Sequence, residues 1–192
     1  MKELSLHLLD LAENSVAADA SRVEIEVKMS LAQDLLILEI NDNGRGMPAD
    51  LLAMITDPFV TSRTTRQVGL GIPLFKAAAE ACNGYFSINS SPGEGTQIEA
   101  VFQLSHIDRM PLGDLPNTFL TLLVAHPEID WLFYYQVDSQ LDQEPYRYEF
   151  DAAEVKSILG EVPLCQPDVL GYLKAQFGAG IIIPELDGQF QA

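Results

Sequence analysis

The residues best placed to do chemistry fall in five short stretches: Asp10-Leu11-Ala12-Glu13-Asn14, Asp42-Asn43-Gly44-Arg45-Gly46-Met47, Thr61-Ser62-Arg63-Thr64-Thr65-Arg66, Gly69-Leu70-Gly71 and Gly93-Glu94-Gly95-Thr96. Asp42 follows an apolar run at residues 35–40 and precedes two glycines two apart, so the backbone turns sharply where a strand closes. Ligand crevices open at that end of strands in layered α/β sheets. Read alone, Asn43-Gly44 is equally the commonest hairpin signal. Asp10 and Asn14 are four apart and share one helix face, which His7 also reaches. Ala12, Ala17 and Ala18 leave room beside them, although a solvated face is the plainer fate of such residues. Arg63 and Arg66 stand among four hydroxyls in an acidic chain. That stretch is either a surface loop or a lid whose guanidinium and hydroxyl groups suit phosphate oxygens. Gly69-Leu70-Gly71 opens a helix, whose first N–H groups and dipole favour an anion; glycines also open helices for packing alone.

The elements that must position these groups follow from periodicity. Leu4, Leu8, Leu11, Ser15 and Ala18 recur at helical spacing and predict a helix over about 4–18. Val23, Ile25 and Val27 alternate with glutamates as in a half-exposed strand, and the apolar run at 35–40 reads as a central one. A short helix is expected over 48–55 and another over about 73–82, capped by Asn83-Gly84. Residues 85–90 and 96–104 read as two strands joined by the hairpin at 91–95. Beyond residue 108 the character shifts. Residues 109–117 look like a linker, residues 119–125, 131–137 and 146–150 supply two or three strands, and 152–159 and 167–177 look helical. The chain thus divides into residues 1–108 and a smaller α+β region, 109–192, of unassigned role.

The chain has 192 residues and a formal net charge of -17. Neither half is basic, so nothing here neutralises a row of phosphates, which argues against nucleic acid and against an anionic membrane surface. A single nucleotide is not excluded, because backbone N–H groups, Mg²⁺ and a few basic side chains suffice to hold one. Cys82 and Cys165 lie far apart in no metal-ligand spacing and read as reduced thiols. The first residues lack the basic end and apolar stretch of a signal peptide, and no apolar run approaches the ~20 residues that span a bilayer. These features lead to the expectation of a cytoplasmic protein.

Taken in order, the five stretches resemble the motifs of the Bergerat-fold ATPases, the superfamily of DNA gyrase, the heat-shock chaperone of ninety kilodaltons, histidine kinases and mismatch-repair ATPases. Residues 10–15 resemble the N box, closest to the mismatch-repair form. Asp42 to Met47 match the first glycine box, and Gly69-Leu70-Gly71-Ile72-Pro73-Leu74 resembles the second glycine box of histidine kinases. Residues 58–63 are similar to the kinase segment before the lid, and Gly93-Glu94-Gly95-Thr96 to the kinase Gly-x-Gly-Thr. The resemblance covers residues 1 to about 107. It implies an α+β fold, an α/β sandwich with helices on one face of a mixed sheet, and binding of ATP with Mg²⁺. Asn14 would hold the metal, Asp42 would accept from the adenine 6-amino group, and Thr96 would support that contact. Gly44 and Gly46 would let the base approach, with Met47 at its flank. Gly69, Leu70 and Gly71 would offer N–H groups to the phosphates, with Thr61, Ser62, Arg63 and Arg66 in the lid. Asp10 aligns with the acid that orients water in the hydrolysing members, which carry Glu there, one methylene longer. The resemblance to stand-alone kinases implies a partner protein as phosphoacceptor, and a homodimer is compatible with it. An ATP-dependent conformational switch or slow ATPase that regulates a partner without phosphoryl transfer is the alternative.

Overall fold

The structure is a computed structural model; it describes residues 2–55, 71–138 and 144–184. Helix α1 (Leu4–Ala17) opens the chain, followed by β1 (Arg22–Ser30), β2 (Leu35–Asp42) and the short α2 (Ala49–Ile55). Then come α3 (Gly71–Ala81), β3 (Tyr85–Ser91), β4 (Gly95–Gln103), α4 (Leu115–Ala125), β5 (Asp130–Asp138), β6 (Tyr146–Asp151), α5 (Ala152–Leu159) and α6 (Pro167–Gly180). All six strands form one mixed sheet in the order β3-β4-β2-β1-β5-β6, antiparallel throughout except where β5 lies parallel to β1. The expected α+β fold is thus observed, with β2 inside the sheet.

Strand alternation decides where the core sits. Val23, Ile25 and Val27 of β1, Leu36, Leu38 and Ile40 of β2, Ala100 and Phe102 of β4, and Trp131, Phe133 and Tyr135 of β5 are all buried in one core with the apolar stripes of α1, α3, α4 and α6. The intervening residues of the central strands are largely polar, such as Glu24 and Glu26 of β1 and Glu39 and Asn41 of β2. A sheet covered by helices on one face produces this pattern.

Residues 115–125 form a helix, which corrects the expectation of a linker running into a strand there. The apolar run is short enough to read either way, but Asp114 decides it. Its side chain accepts from the Asn117 N–H at 3.0 Å, with proline in the first turn. Leu115, Thr118, Phe119, Leu122 and Leu123 are then buried at a helical period. The other helices and strands fall within a few residues of the expected positions.

Besides the pairing of β5 with β1, residues beyond 108 bear on α1 near both of its ends. The first N–H groups of α1 have no side-chain cap; Leu4 N–H donates to the Pro111 carbonyl at 2.9 Å and Ser5 N–H to the Leu112 carbonyl at 2.8 Å. His126, at the end of α4, lies with Nε2 3.0 Å from the Glu13 carboxylate, one residue before Asn14. Behind these contacts Phe119, Trp131, Phe133, Phe150 and Phe177 stack or meet edge to face, Phe119 and Phe133 at 4.3 Å between ring centres.

Candidate functional site

β2 carries Asp42 to the sheet's end, where its register partners are Val23 on β1 and Thr96 on β4. The chain then turns back through Gly44 and Gly46. Gly46 has φ +63, and a Cβ there would lie 1.9 Å from the Ser91 carbonyl oxygen. Gly95, at φ +92, presses in the same way on the Asp42 carbonyl, also at 1.9 Å. The turn after β2 and the β3–β4 hairpin are therefore packed backbone to backbone, which only glycine permits at these two positions. Two hydrogen bonds close the seam: Gly93 N–H donates to the Arg45 carbonyl at 2.8 Å, and Met47 N–H to Ser90 Oγ at 2.9 Å.

On the other side, α1 lies across the end of β2. Ser15 Oγ donates to Asp42 Oδ2 at 2.8 Å, and Gly44 N–H donates to Oδ1 at 2.9 Å. The carboxylate is thus held in one orientation by a donor on each oxygen, and each oxygen keeps a free lone pair. Gly44 sits against Ala18, whose carbonyl accepts from Arg45 N–H at 2.9 Å.

These elements enclose a cavity of about 250 Å³. Asn14, Ser15, Asp42, Gly46, Met47 and Thr96 line it together with Leu11, Ala17, Ala18, Leu51, Ile55, Ile72 and Ile98. An apolar slot with a few convergent polar groups at one end suits a flat heterocycle that carries hydrogen-bonding edges. Asp10 is not among the cavity's residues. Its carboxylate rests against Gly71 at the start of α3, where a Cβ would lie 1.7 Å from Asp10 Oδ2. Of the sequence-predicted residues, the structure brings Asn14, Asp42, Gly46, Met47 and Thr96 to one cavity. Gly44 packs against Ala18 and Asp42, which line it, and Asp10 meets Gly71. Thr61, Ser62, Arg63, Arg66, Gly69 and Leu70 lie outside the described residues.

Two hydroxyls were not singled out from sequence. Ser15 stood on the apolar stripe of α1; a buried hydroxyl there must find an acceptor across the interface, and that was its signal. Ser90 carried none, because nothing local marks a strand serine as the partner of a turn more than forty residues away in sequence.

His7 is buried, its ring stacked on Phe75 at 5.3 Å. Burial pushes its imidazole below the ordinary value, and Nδ1 is the buried side-chain nitrogen or oxygen left without a partner among the described residues. It packs as a neutral aromatic ring.

Among the described residues no group of three or more His, Cys, Asp or Glu side chains could hold a metal on its own. The donor set that remains, the Asn14 amide oxygen at the edge of the apolar cavity, fits Mg²⁺, which commonly takes one or two protein oxygens and completes its shell with phosphates and water. No helix among the described residues is long and apolar enough to cross a membrane.

Comparison with known proteins bears on the same residues. The family described as histidine kinase-, DNA gyrase B- and HSP90-like ATPase matches residues 2–106, more than half of the chain. A sensor histidine kinase of Bacillus subtilis, YxdK, is 29% identical over 106 residues, 53% of this chain and 33% of that protein. A sensor protein kinase of Staphylococcus haemolyticus, WalK, is 36% identical over 92 residues, 45% of this chain and 15% of that protein. The chain therefore spans a third or less of the length of these relatives. The N-terminal domain of a DNA repair protein shares the fold at a TM-score of 0.50 and 12% identity, covering 85% of this chain and 59% of that one. The chain belongs to the histidine kinase-, DNA gyrase B- and HSP90-like ATPase family, and the matched residues are its ATP-binding, histidine kinase-like domain.

Proposed function

We propose that the cavity binds Mg-ATP and that the protein, cytoplasmic, passes the terminal phosphoryl group to a partner protein. The observation that carries the reading is convergence: Asn14, Asp42, Gly46, Met47 and Thr96, from different elements, line one small apolar cavity. Asp42, oriented by Ser15 and Gly44, accepts from the 6-amino group of adenine. Thr96, its cross-strand neighbour, supports that contact, and Met47, Leu51, Ile72 and Ile98 offer the apolar walls for the ring. Asn14 is the residue to hold Mg²⁺, which when bound neutralises charge on the phosphates. The start of α3 at Gly71 offers N–H groups toward phosphate, and Asp10 stands beside it. In transfer, the γ-phosphoryl group bonds to the acceptor atom of the partner, the bond to the β-phosphate oxygen breaks, and ADP and the acceptor's proton leave. Transfer depends on positioning and charge stabilisation more than on covalent chemistry from the protein.

A second reading is a switch that binds ATP and signals to a partner without transfer. Asp10 favours it: where hydrolysing relatives carry Glu, the shorter carboxylate rests against Gly71 and does not line the cavity. Calorimetry with ATP and GTP, each with and without Mg²⁺, tests the shared claim; ATP binding that strengthens with Mg²⁺ is expected, and no binding refutes it. Incubation with γ-labelled ATP and a cell extract separates the readings. A labelled protein supports transfer, while binding with neither label nor released phosphate supports the switch.

A further inference from the structure

Three residues stand in one register row, of which Asp42 and Thr96 line the cavity and Ser90 lies behind Thr96: Asp42 pairs with Thr96 across β2 and β4, and Thr96 with Ser90 across β4 and β3. Ser90 Oγ accepts from Met47 N–H at 2.9 Å, donates to the Gly95 carbonyl at 2.8 Å, and lies 3.0 Å from Thr96 Oγ1. A hydroxyl carries one proton. Ser90 gives its own to the Gly95 carbonyl, so the contact with Thr96 is made by the Thr96 proton. Thr96 Oγ1 then has only lone pairs left for the cavity. Asp42 is in the same condition, because Ser15 Oγ and Gly44 N–H donate to its two oxygens and leave one lone pair on each. Of the side chains with N–H groups that line the cavity, Arg45 is turned to Asp19 at 3.1 Å, and Asn14 is the amide assigned above to the metal.

We propose that Ser90 is a specificity-determining, positioning residue. By fixing the direction of the Thr96 hydroxyl, it makes the polar end of the cavity acceptor-only, so the cavity takes purine nucleotides with an amino group at position 6 and rejects those with an oxo group there. The inference rests on adenine-nucleotide binding as proposed above. A 6-oxo group sets a third acceptor against Asp42 and Thr96 with no proton between them, and burying such unpaired acceptors is costly. Without Ser90, the Thr96 hydroxyl is free to turn and donate to the oxo group. Discrimination then relaxes, although Ser90 itself touches no nucleotide.

The test is calorimetric titration of the full chain with ATP and with ITP, which differ at position 6 and in the proton on N1. The unmodified chain is expected to prefer ATP. Ser90→Ala is expected to cut the ATP:ITP preference by about tenfold, the size of one hydrogen bond to the wrong partner. Ser90→Thr, which keeps the hydroxyl, retains the preference. Thr96→Val cuts it at least as far, and adding Ser90→Ala to Thr96→Val changes it no further, because Ser90 acts through Thr96. If Ser90→Ala does not fold, Ser90→Cys keeps the size and weakens the donor, and the same fall in the ratio is expected. A variant that weakens ATP and ITP alike, with their ratio unchanged, shows a merely structural role and overturns the proposal. Losses that add in the double variant overturn it too. Failure of the underlying reading looks different: the unmodified chain then binds neither nucleotide, or binds both equally.

Discussion

Gly46→Ala and Gly93→Ala form a pair that separates two ways a glycine can matter. Both positions have positive φ, +63 and +80, so either alanine meets the left-handed penalty of about 1–2 kcal/mol. There the likeness ends. A Cβ at Gly93 has nothing within 4 Å, whereas at Gly46 it lies 1.9 Å from the Ser91 carbonyl oxygen and 2.7 Å from its carbon. That neighbour is backbone, held in the hairpin that also bonds Met47 N–H through Ser90, so it cannot swing aside. Moving it carries an overpacking cost of about 1–3 kcal/mol in addition. We expect Gly93→Ala to lose about 1 kcal/mol and Gly46→Ala about 3 kcal/mol. In a domain of this size that is a fall in melting temperature of roughly 2–4 °C against 6–12 °C. Because the seam also shapes the cavity, ATP affinity should drop sharply in Gly46→Ala and barely in Gly93→Ala. Urea and thermal unfolding with nucleotide titration on both variants reads all of this. Equal effects from the two substitutions would refute the view that the turn and the hairpin are locked together.

Other consequences are as specific. Ser15→Ala removes the donor to Asp42 Oδ2 and should weaken ATP binding about tenfold by calorimetry, with stability changed by about 1 kcal/mol. His7 is held below its ordinary value of 6.5 by burial, so the unfolded chain takes up a proton before the folded one does. The stability His7 contributes is full above 6.5 and is lost as pH falls through the lower folded value; urea midpoints between about pH 5 and 7 should show this slope, flattened in His7→Phe. Phe177→Ala removes the ring that meets Phe119, Phe133, Phe150 and Tyr148 and should cost about 3–5 kcal/mol. Because β5 is bonded along the length of β1, the loss should appear as one shifted transition in scanning calorimetry, and a separate early transition would contradict it.

Much of this was legible where a single period governs. The stripe of α1, the alternation of β1 and the glycine-bounded hairpin at 91–95 each show local pattern and tertiary burial in agreement. The run at 119–125 misled because six apolar residues broken only by Thr121 suit either a buried strand or a helix. The deciding signs were upstream, in the Asp114 cap and the following proline. The parallel pairing of β1 with β5 was out of reach, since strands joined through a long crossover leave no local mark of which edge they seek. At the site, the side chains that differ chemically from their surroundings were visible: Asp42 after an apolar strand, Asn14 on a helix lined with alanines. Ser15, which holds Asp42, and Ser90, which meets Thr96, were not, because a hydroxyl's role depends on the partner it meets after folding.

The most direct test of the central claim is a crystal structure of the full chain with an adenine nucleotide and Mg²⁺. The account predicts the 6-amino group within hydrogen-bond distance of Asp42, the ring between Met47 and Ile98, and the metal on the Asn14 oxygen. A nucleotide bound elsewhere, or one whose base points away from Asp42, contradicts it.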